Sequence, residues 1–257
     1  MTVVAVFVGP AGSGKTTLIG SYSKWLKENL FLRVACVNLD PGAETLWYNP
    51  VFDIRRMFTL RDIMAEYGLG PNGAFLKAAE LIARYIDEIM ESKPFNDLEA
   101  WDIVLVDTPG QMETFVFREA STVFFKRLRE IASIIAVFVI DATAITSLPD
   151  AVVLWFMSVL IQAKLGLAVI PVINKVDQAG RLDLLRTVIE KPEALNDIAR
   201  KEEVEGVVSD ILQDLVSVAV KTQAPLRSVF VSALNLVGIE DMHTLIHEAL
   251  CACGDLT

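Results

Sequence analysis

The chain has 257 residues, of which 53% are hydrophobic and 22% charged, enough to bury a full core within one α/β domain. Its 33 Asp and Glu against 23 Lys and Arg leave a formal net charge of −10, which opposes the phosphate contacts that nucleic acids require, so no direct nucleic-acid partner is expected. Three cysteines, Cys36, Cys251 and Cys253, are too few for a disulfide framework and point to a reducing, cytoplasmic compartment.

Along the chain, short β-branched runs alternate with longer stretches of helical period. The predicted strands are residues 3–8, 33–38, 103–107, 134–141, 168–174 and 228–232. This alternation predicts βαβ units: a three-layer α/β sandwich with a mostly parallel central sheet. The first run passes directly into a glycine-rich loop, as a buried strand does, rather than into a cleavage site. Two helical insertions are expected on a single domain spanning 1–257. One lies around residues 55–95, with helical pattern at 60–67 and 74–90; the other covers 181–221, with apolar residues at helical spacing over 204–220. The longest apolar stretch, 151–161, ends at Gln162 and Lys164, short of the ~20 residues of a membrane span, so no membrane partner is expected. His243 and His247 decorate one helix face near Cys251 and Cys253 without a recognisable four-ligand zinc pattern.

Every predicted strand ends where a polar motif begins. Gly9-Pro10-Ala11-Gly12-Ser13-Gly14-Lys15-Thr16 fits G-x-x-x-x-G-K-[ST] between a strand and a helix. Such a loop curls backbone N–H groups around the β-phosphate, and the following helix adds its positive N-terminal field. Gly12, Ser13, Gly14, Lys15, Thr16 and Thr17 are the nucleotide-binding residues expected here. Lys15 bridges the β- and γ-phosphates and Thr16 offers its hydroxyl to Mg²⁺. Asp107-Thr108-Pro109-Gly110-Gln111 follows the third strand. It supplies a second metal residue in Asp107, an N–H for the γ-phosphate in Gly110, and in Gln111 a group placed to orient water.

Asn174-Lys175-Val176-Asp177 fits the N-K-x-D guanine motif. A carboxylate at Asp177 accepts from the N1–H and exocyclic amine of guanine, whereas adenine leaves it unsatisfied. Ser232-Ala233-Leu234 matches the weaker S-A-x motif, expected to present its backbone to the guanine oxygen. The order and the strand-end placement of these motifs imply a GTP/GDP site with Mg²⁺ and GTP hydrolysis. An ATP-using kinase or ligase of the same broad class is opposed by Asn174–Asp177, and a scaffold that binds GTP without turning it over is the non-enzymatic alternative.

Gly70-Pro71-Asn72, followed by Gly73 and a long helix, adds a narrower feature. Alone, Pro, Asn and Gly are what any tight turn favours. Together with Asn38-Leu39-Asp40-Pro41-Gly42 and Asp107-Thr108-Pro109-Gly110-Gln111-Met112-Glu113, the chain resembles the GPN-loop GTPases, in particular the archaeal member, within the SIMIBI class of phosphate-loop NTPases. The resemblance spans nearly the whole chain, although Gly42-Ala43 departs from the variants of eukaryotic relatives. It implies a homodimer in which the Gly70-Pro71-Asn72 loop reaches the partner's nucleotide site, with Asn72 acting there in the role of an arginine finger. It also makes Gln111 and Glu113 candidates to position water, and Asp40 a candidate for magnesium or water contact. Because eukaryotic relatives are associated with RNA polymerase assembly and import, it implies a conformational switch with a protein partner among large assemblies. The apolar residues of 151–161 and 204–220 are candidates for that partner surface.

Overall fold

A computed structural model describes residues 2–191, 211, 214–215 and 227–254. Its strands are β1 (Val3–Val8), β2 (Val34–Asn38), β3 (Phe52–Asp53), β4 (Ile103–Asp107), β5 (Ser133–Asp141), β6 (Val169–Asn174) and β7 (Val229–Phe230). They form one parallel sheet in the order β3-β2-β4-β1-β5-β6-β7. The helices are α1 (Lys15–Asn29), α2 (Leu60–Tyr67), α3 (Pro71–Arg84), α4 (Ile86–Glu91), α5 (Met112–Val116), α6 (Glu119–Arg129), α7 (Leu148–Leu165), α8 (Leu182–Glu190) and α9 (Ile239–Gly254).

The central strands are apolar at nearly every position because both sheet faces are covered. On one face, Val4, Val6, Val8, Val104, Val106 and Phe138 join a core with residues of α2, α3 and α6. On the other, Ala5, Phe7, Leu105, Val137 and Val139 pack against Leu18, Tyr22 and Leu26 of α1 and Met242 and Ile246 of α9. Fully burying a side chain of this size contributes about 1.5–3 kcal/mol, so the sheet is a rigid base for the loops at its ends. Register decides where those loops gather. Phe7 lies beside Asp107, and Asp141 beside Asn174, so β1, β4, β5 and β6 all deliver their polar motifs at one edge.

Helix boundaries follow local chemistry. Thr59 and Asp62 close a capping box on α2, Pro71 occupies the first turn of α3, and Ser147 and Asp150 box the start of α7. The apolar helix α7 is 18 residues long and apolar enough to cross a membrane by composition alone. Its Ala151, Val152, Trp155 and Ile161 are buried in the protein, while Val153 and Leu160 are exposed.

Several expectations change. The single helical pattern over 74–90 is two helices broken at Tyr85, with the first beginning earlier, at Pro71. The last predicted strand shrinks to Val229–Phe230, because Ser232 turns back to pair with Val237. The two-residue edge strand β3 carries no periodic signal; it forms because Val37 and Asn38 offer it a ladder. Nearly all of 204–220, and the side chains of Cys251 and Cys253, lie outside the described residues.

Candidate nucleotide site

The loop between β1 and α1 carries the first motif. Gly14 stands at the N-cap of α1 in the left-handed region, φ 88°, and a Cβ there would lie 2.5 Å from the amide nitrogen of Asn174. Glycine is therefore required where the phosphate loop meets the guanine motif. The Lys15 ammonium donates to the carbonyls of Gly9 (2.8 Å) and Pro10 (3.2 Å). Burial pushes its pKa down, opposed by the charges of Asp107, Asp40 and Glu113.

Asp107 is almost fully buried at the end of β4. One oxygen, Oδ2, accepts from the Tyr48 hydroxyl at 2.9 Å, and the nearby Thr16 hydroxyl favours the ionised carboxylate. The other oxygen, Oδ1, is buried without a hydrogen-bond partner. Burial raises the group to about 6, with Lys15 and Thr16 acting against that rise. A buried, unpartnered carboxylate oxygen beside a threonine hydroxyl fits a hard cation such as Mg²⁺, which takes few protein ligands and completes its shell with phosphate oxygens and water. Among the described residues, no group of three or more His, Cys, Asp or Glu is placed to hold a metal ion.

Asp40 stands between two motifs. Its Oδ1 accepts from the Gly42 N–H at 2.8 Å and its Oδ2 from the Gly110 N–H at 2.9 Å. The Gly110 N–H expected to face a γ-phosphate is thus bonded to Asp40, because the negative carboxylate is the strongest acceptor within reach. Burial pushes Asp40 upward, while these bonds and Lys15 act against it. Arg55 and Asp53 brace the segment from below. Arg55 forks onto Asp53 and donates to the Ala43 carbonyl at 2.7 Å, and Asn38 bonds both Asp53 and the Asp40 backbone. Burial opposes ionisation of Asp53, but the bonds from Arg55 and Asn38 outweigh it and hold the carboxyl low.

The base end is a cleft of about 310 Å³ lined by Gly14, Thr17, Trp47, Lys175, Asp177 and Leu234, among others. Asn174 organises it from beneath: its amide donates to the Ser13 carbonyl at 3.0 Å and accepts from the Ala233 N–H at 3.1 Å. One buried side chain therefore ties three motifs together. Lys175, in the left-handed region at φ 64°, sends its ammonium to Asp141 at 2.6 Å. Asp177 is exposed, and its hydrogen bond with the buried Ser232 holds its carboxyl below the usual range.

Asn72, exposed in the first turn of α3, accepts from the Gln111 amide at 3.4 Å, so the Gly-Pro-Asn loop adjoins the motif after β4 within the same chain. Glu113 is exposed on α5 and acts on Lys15 only through its charge. Tyr48, Trp47, Asp53 and Arg55 escape motif reading, since they reach the site from a loop and an edge strand with no pattern of their own.

A phosphate loop, a buried carboxylate at the neighbouring strand end and a guanine motif on the same sheet edge define a phosphate-loop GTPase. The family model described as "Conserved hypothetical ATP binding protein" matches residues 7–252. GPN-loop GTPase PAB0955 of Pyrococcus abyssi is 36% identical over 99% of this chain and 100% of its own length. GPN-loop GTPase 1 of Dictyostelium discoideum is 32% identical over 67% of this chain and 43% of its own. The crystal structure of PAB0955, a GTPase in apo form, superposes with a TM-score of 0.86 at 33% identity, covering 98% of both chains. The chain belongs to the GPN-loop GTPase family and acts on GTP. The family description names ATP, whereas Asp177 beside the base cleft has the hydrogen-bonding character that guanine satisfies.

Proposed function

We propose that this GTPase is a magnesium-dependent homodimeric switch of the cytoplasm, whose GTP hydrolysis controls its hold on a larger protein assembly. The observation that carries the reading is the bond from the Gly110 N–H to Asp40 at 2.9 Å, which ties the segment after β2 to the motif that bears Asp107. Lys15, Thr16, Ser13, Gly12 and Gly14 hold the phosphates, Thr16 and Asp107 hold the metal, and Asn174, Lys175, Asp177, Ser232, Ala233 and Leu234 select guanine. Magnesium, when bound, neutralises charge on the β- and γ-phosphate oxygens. Asp40, Gln111 and Glu113 orient the attacking water. Release of the Gly110 N–H from Asp40 exchanges a carboxylate acceptor for a phosphate one, and this exchange couples nucleotide state to the segment Asp40–Glu44.

Asn72 acts in trans in this reading, donating to the partner's γ-phosphate as a neutral counterpart of an arginine finger. The exposure of Pro71 and Asn72 and the resemblance of the loop support it. The bond to Gln111 of the same chain favours a second reading, in which Asn72 acts in cis. The protein partner is RNA polymerase-related by family resemblance, and the exposed Val153 and Leu160 of α7 offer part of a contact face.

Asn72→Ala is expected to slow single-turnover hydrolysis with little loss of GTP affinity. Mixing it with Lys15→Ala separates the readings. Restored turnover in mixed dimers supports action in trans, no restoration supports action in cis, and unimpaired turnover by Asn72→Ala alone removes its catalytic role. Calorimetry of GDP and ADP into wild type and Asp177→Ala checks the base: equal or better ADP binding sinks the guanine assignment.

A further inference from the structure

We infer that Trp47 is a nucleotide-positioning residue whose indole forms the open wall of the base cleft, against which the guanine lies. The inference rests on a guanine nucleotide occupying the cleft beside Asp177.

Trp47 belongs to none of the sequence motifs, yet it lines the same cleft as Gly14, Thr17, Lys175, Asp177 and Leu234. It is 62% exposed, which leaves a large aromatic surface available to a ligand. An exposed tryptophan on a loop is ordinary by itself. What distinguishes this one is how its backbone is held from both sides.

Toward α1, the chain lies directly on Gly20. A Cβ at Gly20 would sit 2.6 Å from the Trp47 carbonyl oxygen and 2.7 Å from its Cβ, so any larger residue displaces the segment. Toward the phosphate end, the next residue, Tyr48, packs against the core that contains α1 and bonds Asp107 at 2.9 Å. Two consecutive residues thus serve opposite ends of one ligand. Tyr48 holds the metal carboxylate while Trp47 faces the base.

The chemistry suits a purine. An indole supplies a broad apolar surface at the cost of ordering only two torsions, and its backbone is already restrained. Asp177 discriminates guanine through hydrogen bonds at the base edge, whereas an aromatic wall contributes area that any purine can use. Trp47 therefore strengthens binding of guanine and hypoxanthine nucleotides alike, and Asp177 separates bases.

The test is titration of GDP and of inorganic tripolyphosphate, both with magnesium, into wild type, Trp47→Phe and Trp47→Ala. Aromatic–base contacts of this kind lead us to expect roughly tenfold weaker GDP binding in Trp47→Ala, with Trp47→Phe near wild type. Tripolyphosphate, which has no base, is expected to bind all three equally. GDP is also expected to change the tryptophan fluorescence of wild type more than that of Trp47→Phe, which keeps Trp25, Trp101 and Trp155. Unchanged GDP affinity in Trp47→Ala, a parallel loss of tripolyphosphate, or a fluorescence response as large in Trp47→Phe as in wild type overturns the inference. Failure of GDP to bind wild type while tripolyphosphate binds would instead overturn the guanine reading on which it rests.

Discussion

Replacing Asn174 by alanine tests whether one buried amide holds the motif loops together. In the structure its side chain is 1% exposed and makes two buried bonds, to the Ser13 carbonyl and from the Ala233 N–H. Alanine removes both partners at once and leaves a backbone acceptor and a backbone donor buried without compensation. Each orphan costs about 1–3 kcal/mol, so the nucleotide-free protein is expected to lose about 2–6 kcal/mol. For a chain of this size that corresponds to a fall in Tm of about 4–24 °C, measurable by calorimetry without nucleotide and checked by urea denaturation. GDP affinity falls as well, because Ser13 and Ala233 lose their common tether. Asn174→Asp is a useful companion: it keeps an acceptor for Ala233 but sets a carboxylate oxygen against the Ser13 carbonyl, so it is expected to be no more stable than alanine. A shift under about 2 °C in Asn174→Ala would refute the reasoning, since the loops would then hold their places without the amide.

Asp107 yields a pH prediction. Burial lifts its folded-state pKa to about 6, above the ordinary value of about 3.9, so the ionised carboxylate destabilises the metal-free fold. Its stabilising contribution is complete below about pH 4 and is lost as pH rises through 6, a loss of about 3 kcal/mol. In EDTA at pH 8, Asp107→Asn is therefore expected to be more stable than wild type by about 1–3 kcal/mol, the difference closing by pH 4, while magnesium-dependent hydrolysis is lost. Thermal denaturation across pH checks this, and a variant less stable than wild type at pH 8 argues against it. Arg55→Ala is expected to cost about 1–3 kcal/mol, because it strips the mostly buried Arg55 from a largely buried Asp53 and from the Ala43 carbonyl. Turnover falls more than GDP affinity as the Asp40 segment loosens, and Arg55→Lys rescues little, since an ammonium cannot reproduce the fork. Wild-type values in urea denaturation and single-turnover hydrolysis would show that the brace is unimportant.

The parallel α/β class, five of the strands to within a residue, and the motifs at 9–16, 107–111 and 174–177 were legible along the chain alone. Those features are local: a buried strand needs a continuous apolar run, and a phosphate loop needs glycine, lysine and threonine at set intervals within one turn. Which distant groups meet depends on how the chain folds back on itself. Asp40 on the Gly110 N–H, Tyr48 on Asp107, Asn174 between Ser13 and Ala233, and Trp47 over Gly20 and the base cleft each join residues from separate loops. Edge strand β3 likewise exists through its partner rather than its own two residues. Such contacts depend on strand order and register. A parallel sheet places Phe7 beside Asp107 and Asp141 beside Asn174, and neither pairing is carried by spacing along the chain.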